Sequence, residues 1–263
     1  MLLPAADNLD LSTPLSQFEA EGYARLGSVL SAAGIEALRQ RSDALMTGSA
    51  AFPGVFYQHD APSGHYEDLT YAAGWIGPSR AYRKLEGLQV DATFRAWIEN
   101  ALFERIARQL LGASVTLYRI VLWNKAAHGG TELPWHQDDG KFWGIDQRPS
   151  LQIWTALDDA PLAAGCLDVV PGTHHDGLAS PEGGTVQRHR LDALNAQVSS
   201  TPLPARAGEA ILLHNHTWHR SGVNQTDAPR RALSISYLEG STRCLRRRRA
   251  PRQFTPVFAG DQD

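Results

Sequence analysis

Cysteine is scarce. Cys166 and Cys244 are the whole supply in 263 residues, too few for a disulfide framework or a thiolate metal site. No run approaches the roughly 20 consecutive apolar residues that a bilayer span requires, so no membrane association is expected. The opening MLLPAADNLDLS has neither a basic stretch nor a long apolar one and is a poor secretion signal. A reducing, cytoplasmic setting is therefore the default expectation. G-x-S-x-G and H-E-x-x-H are both missing, which removes the usual grounds for a serine hydrolase or a zincin. Zinc-finger spacing, a basic helix and an aromatic RNP-like strand are missing too, so no nucleic-acid partner is expected.

What is present reads as an ordinary globular chain, 43% hydrophobic and 20% charged. A length of 263 residues suits one good-sized core, and no linker or repeat interrupts it, so residues 1–263 are expected to form a single domain. The net charge of −3 conceals an asymmetry. Six arginines and no acid lie between Arg243 and Arg252, and without them the remainder carries −9. The expectation is a solvated or internally paired cluster in a C-terminal tail, 241–263; an anion-binding patch is the alternative.

The first part of the chain, to about residue 111, is helix-rich. Short helical spacing covers Ser16 to Glu21, and a longer helix is predicted from Ser31 to Met46, with Gly48 just past its end. Tyr23 to Leu26 suits a short strand between them. Ala50 to Pro78 has no steady period and reads as a long loop, a candidate lid or binding wall. Helical spacing returns through Phe94, Trp97, Ile98, Leu102, Ile106 and Leu110. From about residue 112 to 240 the pattern changes to short strands at Val115–Trp123, Leu151–Leu157, Leu167–Val170, Ala210–His214 and Ala232–Tyr237, separated by turn formers. Helices first and strands afterwards predict an α+β, mainly β fold, a barrel or sandwich with helices packed outside it.

Two imidazoles and a carboxylate on one face, with the opposite face open, are what a ferrous centre for oxygen chemistry needs. Residues i and i+2 share a strand face, so an H-x-D can supply two of the three ligands. The chain has two such motifs, His136-Gln137-Asp138 and His174-His175-Asp176, and an H-x-E at His65-Tyr66-Glu67. The copy at 174–176 follows Pro171-Gly172-Thr173 and fits a turn. The copy at 136–138 follows a strand-like run, among Trp135, Phe142 and Trp143, and is the one favoured. Downstream, LLHNHTWHRSGVN offers His214, His216 and His219, and spacing alone does not choose among them.

Five landmarks occur in order: EAEGYARLGSVLSAAGIEAL, PWHQD at 134–138, ALDDAPLAAGCLDVVPGTHH at 156–175, AGEAILLHNHTWHRSGVN at 207–224 and APRRALSISY at 228–237. Together they resemble the phytanoyl-CoA dioxygenase family of Fe(II)/2-oxoglutarate oxygenases over most of the chain. The resemblance implies a double-stranded β-helix, a jelly-roll, cupin-like barrel. It implies Fe(II) as metal, with 2-oxoglutarate and O₂ as co-substrates, and His136, Asp138 and His219 as ligands, the last through an H-x-S-x-x-N signature completed by Ser221 and Asn224. The family arginine for the distal carboxylate of 2-oxoglutarate falls on Arg230, and Ser221 matches its hydroxyl partner. A guanidinium suits a carboxylate through two parallel hydrogen bonds. Arg230 shares its strand face with the small residues Ala232, Ser234 and Ser236, whereas its rival Arg231 would point away. Trp154 and Asn124 are softer co-substrate candidates. The chain departs from the family where Ala164-Gly165-Cys166 stands in place of an Asn before the glycine, which leaves the contacts of that loop open.

Because Asp138 is present, the resemblance favours hydroxylation, or a desaturation or ring reaction derived from it, over halogenation. The expected partner is a small-molecule substrate, and the expected assembly a monomer or homodimer. Candidates for the substrate wall are Glu132, Gln137, Asp139, Phe142 and Trp143, with Tyr57 or His59 from the long loop. The acids among them suit a polyhydroxylated or amine-bearing molecule. The alternative is a non-catalytic or zinc-binding cupin-like protein, which would explain the three ligands but not Arg230 and Ser221.

Overall fold

The computed structural model describes residues 8–70, 74–246 and 252–260. The chain begins with helix α1 (Ser12–Glu21), strand β1 (Tyr23–Ser28) and helix α2 (Ala32–Thr47). Strands β2 (Phe56–His59) and β3 (Tyr82–Glu86) and helices α3 (Ala92–Ile98) and α4 (Ala101–Leu111) follow. The β-rich part comprises β4 (Val115–Lys125), β5 (Leu133–Gln137), β6 (Leu151–Ala156), β7 (Leu167–Val170) and β8 (Gly184–Thr185). After helices α5 (Arg188–Ala193) and α6 (Ala196–Ser199) come β9 (Thr201–Leu203), β10 (Glu209–Leu213), β11 (Trp218–Ser221), β12 (Arg230–Glu239) and β13 (Thr255–Phe258). No described helix is long and apolar enough to cross a membrane.

Local chemistry sets the helix boundaries. The Ser31 hydroxyl caps α2 by accepting from the Gly34 amide at 3.1 Å. The helical spacing predicted from 91 to 111 is two helices rather than one. Asp91 caps α3, and the Asn100 side chain accepts from the Phe103 amide at 3.0 Å, so the chain stops and restarts there.

The strands form two antiparallel sheets. One has the order β1-β10-β6-β12-β4-β3-β2, with β13 also paired to β4; the other has the order β8-β5-β11-β7-β9. No described strand is shared between them, so the barrel is two stacked sheets rather than a closed cylinder. The arginine-rich C-terminal stretch is not all tail, since β13 extends the large sheet and buries Phe258 against Tyr237. Arg247, Arg248 and Arg249 lie outside the described residues. Likewise the loop expected at 50–78 contains β2, an edge strand of the same sheet.

Alternation along the strands assigns the two faces of the large sheet. Leu122, Leu151, Ile153, Leu212, Leu233, Ile235 and Tyr237 join Leu38, Leu45, Phe94, Trp97, Phe103 and Ile106 of the helices in one apolar cluster. Their neighbours on the opposite face, Gln152, Trp154, Leu213, Arg230 and Ser234, line a cavity with His136, Leu167, His219 and Ser221 of the small sheet. Helices cover one face of the large sheet, and the site occupies the other.

Candidate metal and co-substrate site

His136 on β5 and His219 on β11 are direct cross-strand partners, with ring centroids 4.0 Å apart. The register shifts beyond them, since Pro134 and Trp135 together oppose one residue of β11. A bulge tolerates Pro134, which has no amide hydrogen to give. Its free carbonyl faces Nδ1 of His136 at 2.8 Å. Nδ1 of His219 meets the Thr217 carbonyl at 2.9 Å in the same way. Each ring therefore donates from Nδ1 and keeps an unprotonated Nε2, the arrangement a metal-binding imidazole requires.

Asp138 lies one residue beyond β5. Its amide donates to the Asn215 carbonyl and its own carbonyl accepts from the Asn215 side chain, both at 2.9 Å. Arg119 Nη2 donates to Oδ1 at 3.2 Å and Gln152 Nε2 to Oδ2 at 2.9 Å. Gln152 is fixed in turn by the Ser234 and Ser236 hydroxyls, which donate to its Oε1 at 3.2 and 3.3 Å. One ligand atom from each of His136, Asp138 and His219 falls within 4.8 Å of the others, the only such grouping among the described residues. Burial, reinforced by His219, pushes the His136 imidazole down to about 3, so it stays neutral and able to bind metal. Burial alone would raise Asp138, but the adjacent His219 ring and the Arg119 charge outweigh it and hold the carboxyl well below its usual range. Two neutral imidazoles and one ionised carboxylate fit Fe(II).

Arg230 lines the same cavity. It is 3% exposed, and its guanidinium meets only carbonyls, with Nη2 2.7 Å from Gly165 O. Burial pulls it down to about 10. The loop that departs from the family pattern supplies this cradle. Gly165 holds φ +68°, and a Cβ there would lie 2.2 Å from the Gly222 carbonyl, so no side chain fits between the loop and the strand end. Among the described residues Arg230 has no ion pair, which leaves a buried cation facing the cavity without an anionic partner of its own. Arg231 is the contrast, saturated by Asp158 at 2.8 and 3.0 Å and by Asp43 at 2.7 Å on the helix side. Ser221 and Trp154 also line the cavity.

Several expected site residues have other work. Asn124 lines the same cavity and gives its amide to the carbonyls of Arg80 and Tyr82 at 3.0 and 2.8 Å, fastening β4 to the start of β3. Gln137 alternates away from His136 and pins the loops at Gly177, Ala179 and His216. Asp139 is buried against His216 at 2.7 Å. Trp143, 1% exposed, stacks on Tyr118 and supports the Arg119 guanidinium 4.8 Å from its ring. Glu132 pairs with His65 at 3.4 Å, facing an outer groove. Tyr57 packs edge-on against Trp75 and Tyr82, and the His59 ring lies 4.0 Å from Tyr82. Of the proposed wall, Gln137 and Phe142 line a cleft of about 250 Å³ that reaches His136 and Asp138. The acids of the expected wall, Glu132 and Asp139, do not line it, whereas Arg83, Lys84 and Arg119 do, Lys84 paired with Glu86 at 2.7 Å. The histidines left open by spacing also separate: His216 meets Asp139, His214 accepts from the His216 amide, and only His219 converges with the H-x-D, while His174 and His175 of the second motif meet the Glu19 and Ala20 carbonyls.

Sequence reasoning missed Arg119, Gln152, Arg83 and Lys84. Arg119 and Gln152 left a trace, each a lone polar residue inside an apolar strand run, VTLYRIVLW and LQIW. Beside Arg119, β4 carries one extra residue, Tyr118, opposite β12, a bulge of the kind that re-aims a side chain next to a site.

Two stacked sheets carrying an H-x-D and a distant histidine define a double-stranded β-helix of the non-haem iron oxygenase type. Structures of that kind match across nearly the whole length. The protein EctD from S. alaskensis, solved with 2-oxoglutarate and 5-hydroxyectoine, gives a TM-score of 0.74 at 19% identity, covering 99% of this chain and 94% of that one. The α-ketoglutarate-dependent carbocyclase SnoK from nogalamycin biosynthesis gives 0.71 at 18%, covering 97% and 99%. A sequence model of the phytanoyl-CoA dioxygenase (PhyH) family matches residues 18–232. The chain belongs to that family of 2-oxoglutarate-dependent, non-haem iron oxygenases. L-Proline trans-4-hydroxylase from Streptomyces griseoviridis is 32% identical, covering 70% of this chain and 79% of that one. Phytanoyl-CoA dioxygenase 1 from Oryza sativa subsp. japonica is 25% identical, covering 90% and 92%. For the mouse phytanoyl-CoA dioxygenase domain-containing protein 1, 28% identical, the match spans 57% of this chain and about half, 54%, of that protein.

Proposed function

We propose that this oxygenase hydroxylates an unactivated C–H bond of a small molecule, with His136, Asp138 and His219 binding Fe(II). Arg230 and Ser221 receive the distal carboxylate of 2-oxoglutarate, and Trp154 walls its chain. The observation that carries the reading is Arg230, a buried cation with no anionic partner in the cavity that also holds the metal ligands. Bound iron with 2-oxoglutarate and O₂ supplies the oxidising power, while the co-substrate leaves as succinate and CO₂. The chain's own residues fix the carboxylate ligand through Gln152 and Arg119, fix both imidazole tautomers through backbone carbonyls, and keep one side of the site open. The primary substrate enters by the cleft that Phe142, Trp123 and Arg83 border. Relatives named for L-proline and for methylphosphonate are in keeping with a small substrate.

Metal exchange tests the reading. Fe(II)-loaded protein should turn 2-oxoglutarate into succinate under air, and Zn(II)-loaded protein should bind the co-substrate without turnover. Absence of turnover with bound Fe(II) and 2-oxoglutarate, across a panel of small acids, would move a binding-module reading to first place.

A further inference from the structure

Arg119 reaches Oδ1 of Asp138 at 3.2 Å, and among the described residues this is its one hydrogen bond. A guanidinium offers several N–H donors in one rigid plane, and a single bond leaves that plane free to turn. Aromatic faces fix it instead. The guanidinium lies 4.8 Å from the Trp143 ring and 5.8 Å from the Tyr118 ring, inside the roughly 6 Å over which a ring face attracts a cation. Trp143 in turn stacks on Tyr118, with centroids 4.1 Å apart and planes 8° from parallel. Its Nε1 is buried with no partner among the described residues, so the indole is held by its faces rather than by its N–H.

The arginine-rich stretch near the C-terminus closes on this stack. Residues 243–246 run antiparallel to the loop that carries Trp143, with Cys244 opposite Ile145. The Arg243 amide donates to Asp146 Oδ1 at 2.7 Å, the Asp146 amide to the Arg243 carbonyl at 3.1 Å, and the Leu245 amide to the Gly144 carbonyl at 2.7 Å. Arg246 donates to the Phe142 carbonyl. Its stem passes so near Gly144, at φ +64°, that a Cβ there would lie 2.7 Å from Arg246 Cγ. Further on, Arg252 donates to the Tyr118 carbonyl and lies 4.7 Å from the Tyr118 ring. The Arg246 and Arg252 side chains thus meet carbonyls and a ring. Arg252, Tyr118, Trp143, Arg119 and Asp138 make one continuous row of contacts from the C-terminal stretch to the metal site.

We propose that Trp143 is a positioning residue for the metal-binding carboxylate, acting through Arg119, and that residues 243–246 with Arg252 form the strap that holds it there. This rests on the assignment of Asp138 as a metal ligand. Trp143 and the strap move no proton and take no part in bond breaking. Their effect reaches the iron through the direction of one carboxylate oxygen.

The test is a double-mutant cycle on Fe(II) affinity, measured by anaerobic chelator competition beside a denaturant melt of each apo protein. Trp143→Leu removes the ring face and should weaken Fe(II) binding roughly ten-fold, and Trp143→Phe, which keeps a face, should restore most of it. In an Arg119→Met background, Trp143→Leu should weaken Fe(II) binding no further, although its loss of stability persists. The same ten-fold loss in that background would make Trp143 a packing residue and overturn the proposal. Arg246→Met combined with Arg252→Met changes two exposed positions and stands in should Trp143→Leu fail to fold. That pair should weaken Fe(II) binding roughly two- to five-fold, the factor an exposed cation–π contact supplies, and only while Arg119 is present. Unchanged affinity in the pair would overturn the strap. Asp138→Ala separates the underlying reading. Fe(II) held as tightly as by wild type would remove Asp138 from the ligand set, whereas lost binding there with Arg119→Met unaffected would overturn this proposal alone.

Discussion

Gln152→Leu isolates the support beneath the carboxylate ligand without touching a ligand. Gln152 is 3% exposed and makes three hydrogen bonds: it donates to Asp138 at 2.9 Å and accepts from Ser234 and Ser236. Leucine fills similar space and removes all three. Two serine hydroxyls, one of them fully buried, then lose a partner, and each net hydrogen bond contributes about 0.5–1.5 kcal/mol. The apo protein should lose about 2–4 kcal/mol of stability and remain folded. The larger signature is in metal binding. Arg119 still holds Oδ1, but Oδ2 is free to turn, and loss of such an outer partner costs about 10–100-fold in metal affinity. The assay is Fe(II) affinity by competition with a chelator under anaerobic conditions, beside a denaturant melt of the apo protein. A variant that binds Fe(II) as tightly as wild type, whatever its stability, would show that Gln152 does not orient the ligand.

Arg231→Met should destabilise the protein by about 2 kcal/mol in a urea melt, because buried Asp158 loses its two-point partner and keeps only Arg39 at 2.9 Å, with 2-oxoglutarate affinity unchanged; a rise in the 2-oxoglutarate Kd without loss of stability would swap the roles of the two arginines. His214 supplies a pH dependence. Burial, followed by His216 and His174, holds its imidazole down to about 3 against an ordinary 6.5. The unfolded chain binds the extra proton between those values, so stability falls as pH drops from 6.5 toward 3, at most about 1.4 kcal/mol per pH unit. His214→Asn, which keeps an acceptor for the His216 amide, should flatten that slope between pH 6.5 and 4.5; parallel curves for wild type and variant would contradict it.

The ligand set was legible because metal chemistry dictates residue types at short spacing, and because family landmarks chose among three histidines that spacing could not separate. Strand alternation was equally readable: period two puts Arg230 and Arg231 on opposite faces, and the family resemblance chose Arg230 as the inward one. Long strands with strict patterns, such as 115–125 and 230–239, were found to within two or three residues at each end. Leu167–Val170 was found to the residue, but other short strands were not. The two residues of β8 and the three of β9 carry no period, and β11 lies in a polar, histidine-rich stretch whose apolar pattern is overwritten by function. Much of the expected substrate wall is occupied elsewhere for a physical reason. Gln137 and Asp139 sit beside ligands in sequence, but alternation turns them away from the metal, where partners 40 to 79 residues distant hold them. The cations that do border the cleft come from β3 and β4, remote in sequence from either motif. Only tertiary pairing brings them there.

The most direct test of the account is the visible charge-transfer band of a chelated 2-oxo acid, recorded anaerobically with Fe(II) and 2-oxoglutarate. Wild type should show it, His219→Ala should lack it at any co-substrate concentration, and Arg230→Gln should show it only at a 2-oxoglutarate concentration roughly a hundred-fold higher. A correctly folded, iron-loaded wild type without the band, or an undiminished band in His219→Ala, would contradict the assigned metal and co-substrate site.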